Sequence, residues 1–447
     1  MQRPVQFIDC TDSSPLSGLW SPQSHLKHLF YGPGCVQRHL LNVLPSPKSR
    51  VFIVTGQTLA TQTPLIRQLE ALLGSDIHAG TFASIKQHGQ AAGVDEALAQ
   101  VSADPSIDTV LSVGGGSPID SAKVISFRTN EQRGHFLTHI AIPTTLSAAE
   151  CTPGGGFTRK DGVKVGFMAD GMGVSAVFYD ALFTRCTPRT LLLASGVRAI
   201  DHAVETVYHP QASLMPWKAT ACWALGVLFK FLPLVAAKLD SDMAQPSSEA
   251  ATRLGDENEN ENGNDRGRAG NAKPESAMRA INLAAPDADS SSSSSSSLDD
   301  MLTVLMLAAY ASSGLRGANF GGGMGLSHAL GHALGSPYGI SHGETSCLTL
   351  AAVIRLKAKH SAEAASQISC FLLPAIRQTP TGDAVRDALE FARLLDQLVE
   401  QLGLKQRPLS ERGIGMDQVP VIVGRAVKGP DEKELRHAVT ELVEALF

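Results

Sequence analysis

The chain has no run of about 20 apolar residues, the length that spans a bilayer as a helix, and residues 1–18 show no basic segment followed by an apolar core. Neither a membrane span nor a secretory leader is therefore expected. No basic domain or stripe is present either. The net charge is −5 and the sequence pI about 6.3, which argues against nucleic acid as a partner. Cysteine pairs of the CxxC type are missing. The seven cysteines, at 10, 35, 151, 186, 222, 347 and 370, are odd in number and dispersed. Such a set reads as reduced thiols in a cytosolic protein, most of them small buried hydrophobes. What remains is a chain of 447 residues, 43% of them hydrophobic, enough to build two domains with sizeable cores.

Between about residue 31 and residue 193, short apolar runs alternate with helical periods. The runs are 50–55 (RVFIVT), 77–82, 109–113 (TVLSV), 139–143 (HIAIP) and 176–179 (AVFY); helical periods cover 63–73 and 93–101. This alternation predicts a parallel α/β sheet, a Rossmann-like N-terminal domain over 1–193. After about 194 the strand signals stop. Apolar-periodic stretches at 195–208, 215–240, 299–316, 324–335, 345–358, 361–376, 382–402 and 431–446 predict an all-α C-terminal domain over 194–447. Residues 242–297, with DENENENGND and eight consecutive serines at 290–297, cannot bury a core. They are expected to be a disordered, surface-facing insertion between two helices.

In the N-terminal half the most informative segment is LSVGGGSPIDSAK at 111–123. An apolar strand runs into Gly114, Gly115 and Gly116, and a helix is expected to open at Ser117. Glycines let the backbone approach a diphosphate, and the helix N-terminus offers N–H groups and a partial positive charge. Ser117 can cap that helix or donate to a phosphate, and Asp120 and Lys123 follow three apart. A tight turn without a ligand is the plain alternative. A second strand ends in a hydroxyl-rich loop with Thr144 and Thr145, also suited to a cofactor, because ligands of open α/β sheets gather at the carboxyl ends of strands. Gly56, after the strand at 50–55, places no carboxylate against a ribose 2′-phosphate, so NADPH is permitted as well as NADH.

In the C-terminal half, SGVRAIDHAVETV at 195–207 reads as a helix capped by Ser195, with Val197, Ile200, Val204 and Val207 as its apolar stripe. Arg198, His202 and Glu205 share a separate face. His328 and His332 lie one helical turn apart, and His342 follows. Such histidines could ligate a metal or be ordinary hydrogen-bonded core residues. Glycines at 321–323, 325, 331 and 335 would allow close approach of backbone and ligand.

These motifs together resemble the iron-containing alcohol dehydrogenase superfamily, with its dehydroquinate-synthase-like fold. The resemblance rests on GPG at 32–34, GGGSPIDSAK at 114–123, IPTTLSAAECTP at 142–153, YD at 179–180 and the helical histidine segments, and it covers the chain from about residue 30 apart from the insertion. It implies a nicotinamide cofactor, NADH or NADPH, held by Gly114, Gly115, Gly116, Ser117, Asp120, Thr144, Thr145 and Lys164. Metal-dependent members use an Asp, a His four residues later and two histidines fourteen apart. His202, His328 and His342 match the three histidines and would be the ligands of any bound metal. Arg198 stands where the Asp belongs, and Asp201, adjacent to His202 and not four residues before it, points about 100° away from that histidine on a helix. A guanidinium there opposes a divalent cation, so no metal is the expectation.

Within the superfamily the chain is most similar to maleylacetate reductases, which share SG-x-NA-x-x-HA-x-E and PHAET where this chain has SGVRAIDHAVE and SHGET, and which carry a Lys at the position of Lys164. Arg for Asn at 198 and Gly343 for Ala are departures. The implied activity is reduction of a C=C bond conjugated to a ketone, of the maleylacetate to 3-oxoadipate type. Arg198 would hold the enolate oxygen or a substrate carboxylate. His332 or His342 would supply the proton, with Tyr338 a weaker donor. His202 and His328 complete the expected catalytic set. The substrate is expected to be a small carboxylate or enone, with no nucleic acid or membrane partner and with room for a homodimer. Four other readings stay open. One is an Arg198 pair with Asp201 or Glu205 that leaves the site inactive or repurposed. The others are a metal-dependent alcohol or aldehyde dehydrogenase, a tailoring reductase in specialised metabolism, and a silent binding protein that uses the insertion.

Overall fold

The computed structural model describes residues 21, 25–159, 164–244, 297–317, 323–404, 406–428 and 433–447. The expected insertion at 242–297 falls almost wholly outside them. The N-terminal part is built on a parallel six-stranded sheet. Its strands are β1 (His28–Tyr31), β2 (Arg50–Thr55), β3 (His78–Phe82), β4 (Ile107–Gly114), β5 (Thr138–Pro143) and β8 (Ala176–Tyr179). Their spatial order is β1-β8-β5-β4-β2-β3. β2, β4, β5 and β8 are continuous apolar runs buried on both faces, as expected for parallel strands covered by helices. The sequence reading missed β1, a four-residue edge strand paired with β8. It also missed an antiparallel hairpin of β6 (Gly154–Thr158) and β7 (Lys164–Met168), whose three leading glycines carry no strand signal.

Helices α1 (Cys35–His39), α2 (Gln57–Gln62), α3 (Leu65–Ile77), α4 (Ala91–Ala103), α5 (Gly116–Arg133) and α6 (Ala181–Thr184) connect the strands. From β2 the chain moves outward to β3, then returns to lay β4 on the other side of β2. The strand order thus switches direction between β2 and β4, and such switch points open a crevice beyond the carboxyl ends of the strands.

The C-terminal part is helical. It contains α7 (Arg189–Val207), α8 (Ala219–Ala244), α9 (Leu298–Ser313), α10 (Leu326–Tyr338), α11 (His342–His360), α12 (Ala362–Gln367), α13 (Ala384–Gln401), α14 (Val419–Ala426) and α15 (Lys433–Glu444). Two expectations need correction here. Ser195 caps nothing: α7 starts six residues earlier, after Pro188, and the Ser195 hydroxyl donates to the Leu192 carbonyl and accepts the Leu146 amide. Nor is α7 amphipathic, since every residue from Leu192 to Val207 is buried. It is the central helix, packed between α8, α9 and α11, so its polar face looks into the molecule. The sequence showed no membrane-length apolar run, yet residues Leu214–Asp242 meet the length and composition of a span, with half of the window buried. The buried side of α8 lies against α7 and α9 in a core that also takes in Ile119, Ala141, Val177 and Tyr179 of the sheet half, as befits a core helix. Sheet and helices therefore share one packed interior.

Candidate active site

Two clusters sit where sheet and helices meet. The first surrounds the glycine segment at the end of β4. Gly114 has φ 135°, and a Cβ there would meet Pro118 at 3.1 Å. A Cβ on Gly115 would meet Thr145 Cγ2 at 3.1 Å, and one on Gly116 would meet Ser147 Oγ at 3.3 Å. The glycines are therefore what lets this loop lie against the hydroxyl loop after β5. The Thr144 amide donates to the Gly114 carbonyl at 2.9 Å, and the Thr187 hydroxyl holds the Thr144 carbonyl at 2.7 Å. Thr144 and Thr145 are buried, with the Thr145 hydroxyl 3.1 Å from Ser147 Oγ.

The helix opens at Gly116 rather than Ser117, with no side-chain cap. Ser117 Oγ accepts the backbone N–H of His88 at 3.0 Å. Asp120 lies partly buried one turn into α5. Lys123 is fully buried, and its ammonium donates to the Ala149 and Gly154 carbonyls at 2.6 and 2.8 Å. It bolts the hydroxyl loop to the helix of the glycine loop, a role no spacing in the sequence announced. Lys164 opens β7, and its side chain lies outside the described residues. Gly56 caps α2 beyond β2, on the other bank of the crevice.

The motif segments at 32–34 and 179–180 answer each other in space. Asp180 accepts the amides of Gly34 and Val36 at 2.9 and 3.1 Å and caps α6 through Leu182. They pin the outer edge of the sheet.

The second cluster hangs from α7. Arg198, Asp201, His202 and Glu205 are all buried. Arg198 Nη1 donates to Asp201 Oδ2 and to Ser346 Oγ, each at 3.2 Å. Asp201 Oδ2 also accepts the hydroxyls of Ser346 and Ser327 at 2.6 and 3.0 Å. Glu205 accepts the Ser327 amide at 2.8 Å, and its other oxygen is bonded to His328 Nδ1. His328 Nδ1 lies 3.5 Å from Asp201 Oδ1. Burial lowers the Arg198 pKa, opposed by Asp201 and Glu205. Burial pushes the Asp201 carboxyl up, but His328, Arg198 and Ser346 outweigh it and hold it low. For His328 the order of battle is reversed. Burial and Arg198 push it down, and Asp201 and Glu205 prevail, so its cationic form is favoured. His202, 4.8 Å from the His328 ring, has no carboxylate of its own. Burial, His328 and Arg198 hold it well below the usual imidazole range.

Glycine makes the cluster possible. A Cβ on Gly325 would strike Glu205 Oε1 at 2.5 Å, and one on Gly331 would sit 3.4 Å from Arg198 Nη1. Gly343, a departure from the family pattern, packs against the Ala194 backbone, with 2.6 Å to a Cβ there. Gly323 faces open space, and residues 321 and 322 lie outside the described set.

The expected histidine set divides. His202 and His328 form the buried floor. His342 touches different rings: His332 at 5.4 Å and His88 at 5.5 Å between centroids. His332 is exposed and His342 half-buried. Among the described residues, the group with metal-ligand geometry is Asp201, Glu205 and His328, whose ligand atoms lie within 4.8 Å of one another; it differs from the His202, His328 and His342 set. Tyr338 turns away, its hydroxyl donating to Gln418 Oε1 at 2.9 Å. Sequence reasoning missed Ser327, Ser346 and His88. Only their places next to His328, near His342 and after a strand end could have signalled them. His202 Nδ1 and His328 Nε2 are buried without a hydrogen-bond partner, and orphaned polar atoms of this kind point to a ligand.

The model of the iron-containing alcohol dehydrogenase family matches residues 27–181, and that of the C-terminal region of the Fe-containing alcohol dehydrogenase family matches 272–447. A maleylacetate reductase of Sphingobium indicum is 31% identical over 213 residues, 47% of this chain and 55% of the relative. A dehydrogenase of Alternaria alternata is 31% identical over 37% of this chain and 48% of its own length. The chain thus spans about half the length of the curated relatives it matches. The crystal structure of a maleylacetate reductase from Agrobacterium tumefaciens superimposes with a TM-score of 0.65 at 20% identity, covering 97% of this chain and 98% of that one.

Proposed function

The chain belongs to the iron-containing alcohol dehydrogenase family, and from that premise we propose that it is a metal-free NAD(P)H-dependent reductase of the maleylacetate reductase kind. In this reading residues 1–193 hold the dinucleotide along Gly114–Gly116, Ser117, Asp120, Thr144, Thr145 and Lys164, and residues 194–447 supply the reacting side chains. The substrate is a small carboxylated enone, the location cytosolic, and a homodimer is compatible with it.

The observation that carries the metal-free part is the buried Arg198–Asp201 pair. A guanidinium occupies the helix position where a carboxylate ligand would be needed, and it claims the nearest alternative carboxylate. Asp201 Oδ2 and both oxygens of Glu205 already accept from Ser327, Ser346 and His328, while Asp201 Oδ1 has no hydrogen-bond partner. A divalent cation would have to displace these donors beside a fixed positive charge, so the residues present do not fit one.

The chemistry then falls to the chain's own groups. A bound dihydronicotinamide would supply hydride to the β-carbon of the enone, which would leave negative charge on the enolate oxygen. Fixed donors at that oxygen, Arg198 with His202 beside it, stabilise the transition state. A proton from His342 or His332 completes the saturated ketone. His202, held neutral, offers a nitrogen without charge to repel the neighbouring His328 cation.

A second reading has one observation in its favour: the Asp201, Glu205 and His328 atoms lie close enough to hold an ion. Elemental analysis decides between them. The purified protein is expected to carry far less than one iron or zinc per chain while oxidising NAD(P)H with maleylacetate, and Arg198→Ala is expected to lose about 10²–10³ in kcat. Stoichiometric metal together with chelator-sensitive turnover on simple aldehydes would overturn the metal-free reading.

A further inference from the structure

Thr158 ends β6, and its register partner on β7 is Lys164. It is buried, at the place where the hairpin meets two other segments. Its amide donates to the Gly89 carbonyl at 3.0 Å. Its hydroxyl lies 3.0 Å from the His88 carbonyl and 2.8 Å from Ser336 Oγ of α10. A hydroxyl carries one proton, and a carbonyl can only accept. Thr158 therefore gives its proton to His88, and Ser336 donates to Thr158. The His88 N–H in turn donates to Ser117 Oγ at 3.0 Å. A connected chain results. It runs from Ser336 of the helical half, through Thr158 and the His88 backbone, to Ser117 in the first turn of the glycine-loop helix.

The sheet end of this chain is held firmly. His88 is left-handed, with φ 65°, a conformation that a residue with a Cβ keeps only where its surroundings impose it. Ser117 and Thr158 grip it from two sides. β6 itself rests on α5: the Gly154 carbonyl accepts from Lys123 at 2.8 Å. A Cβ on Gly155 would meet Lys123 Cβ at 3.0 Å and the Asp120 carbonyl at 3.1 Å. The other end is α10, which carries His328 and His332, with Ser336 one turn beyond His332. Near its start α10 is tied to the helical half, where the Ser327 amide donates to Glu205 at 2.8 Å. Near its end it is tied to the sheet half through Thr158, and β7 packs on it.

We infer that Thr158 is a positioning residue: by joining Ser336 to the His88 backbone, its hydroxyl sets where α10 and its histidines stand relative to the dinucleotide half. For the roles of those histidines and of the glycine segment, the inference rests on the function proposed above. Thr158 acts through α10, and a displacement of about 1 Å at a reacting group costs up to about a hundredfold in rate.

The test uses the full chain and three substitutions. Thr158→Val keeps the shape and removes the hydroxyl, Thr158→Ser keeps the hydroxyl, and Ser336→Ala removes its partner. Turnover of NADH and NADPH with maleylacetate is measured beside dinucleotide affinity, which also reports folding, and beside amide exchange of peptides covering 326–338. Thr158→Val is expected to lower kcat about tenfold or more, with the dinucleotide Kd and the KM for maleylacetate within about twofold. Exchange in the last turn of α10 should quicken about tenfold. Thr158→Ser should stay within about threefold of the wild type on every readout. Ser336→Ala should repeat the Thr158→Val pattern, and serves in its place if that variant does not fold. Combining the two should be no worse than the more impaired single variant, because both remove one link. The inference is overturned by an unchanged kcat in Thr158→Val, by equal losses in the Val and Ser variants, or by additive losses in the double variant. A dinucleotide Kd that rises while kcat holds overturns it too, and makes Thr158 a contact of the cofactor. A wild type that reduces no enone sinks the proposed function and leaves the exchange result to decide: α10 quickened by Val and not by Ser keeps this inference, and unchanged exchange ends it. A protein that reduces maleylacetate with Thr158→Val unimpaired keeps the function and ends the inference.

Discussion

The two halves of the site are made of different material. On the sheet side the surface proposed to face the cofactor is backbone and small side chains: three glycines, two threonines, a serine and a helix end, with the buried charge of Lys123 spent on carbonyls. On the helical side it is charged side chains from α7 and α10, joined with Ser346 of α11 in a network of two cations and two anions. The first kind tolerates loss of a contact but not added bulk. The second tolerates little loss, since each member leaves a buried charge unmatched. The contrast makes opposite predictions for the two sides.

The largest effect is expected at Asp201. Asp201→Asn removes the charge that balances Arg198 and His328 while preserving shape. Breaking a buried pair by removing one partner costs about 3–5 kcal/mol, so the urea midpoint should fall steeply with the m-value unchanged. A loss below about 1 kcal/mol, the scale of an exposed pair, would mean that water reaches the network and that the two sides differ less than they look.

The same contrast explains what could be read from the sequence. The strand at 50–55 was legible to the residue, and 109–113 and 139–143 fell inside β4 and β5, because a strand buried on both faces writes itself as a contiguous apolar run. The glycine and threonine loops were legible because each lies within ten residues. The hairpin Gly154–Thr158 was not, since glycine carries no strand preference and the pairing is set by packing on α5. Arg198 was recognised as the anomaly and Asp201 or Glu205 was named as its partner, but the closure through Ser327 and Ser346 was invisible: those residues lie 126 and 145 positions from Asp201. Likewise, spacing joined His342 to His328, whereas its ring neighbours include His88, from another segment altogether.

A smaller effect separates the sides by pH. Each holds a buried histidine, and the two shift in opposite directions. His139 of β5, whose Nε2 meets Ser112 Oγ at 2.8 Å, is pushed down to about 3 by burial, with Lys123 adding to it. His328 is raised by its carboxylates against burial and Arg198. A lowered folded pKa means that below the ordinary value near 6.5 the unfolded chain takes up a proton the folded chain refuses. Stability is then lost as pH falls from 6.5 towards 3, by about 2 kcal/mol at pH 5. A raised folded pKa works the other way: the stability His328 contributes is fully present below 6.5 and is lost as pH rises through its folded value. Amide exchange should therefore loosen β5 first in acid and α10 first in alkali. Loosening of both together at either end would erase the distinction.

The smallest change in stability is expected on the sheet side, where it should be out of proportion to its effect on the ligand. In Gly115→Ala the new methyl meets Thr145 Cγ2 at 3.1 Å and Oγ1 at 3.3 Å. Gly115 is not in the left-handed region, with φ −78°, so the backbone itself accepts alanine and only the threonine side chain must move. A shift of that size in a partly exposed loop costs about 1 kcal/mol of stability. The surface that shifts, however, is the one proposed to lie against the diphosphate, where the absence of a Cβ is the point. The KM for NADH and NADPH should rise about tenfold, a change worth about 1.4 kcal/mol, with kcat for the saturated enzyme nearly unchanged, because uniform binding is what is lost. A fall in kcat at unchanged KM would place the reacting ring, not the diphosphate, against this loop. The glycine segment would then join the helical side as part of the machinery that positions the reaction, not merely the seat of the cofactor.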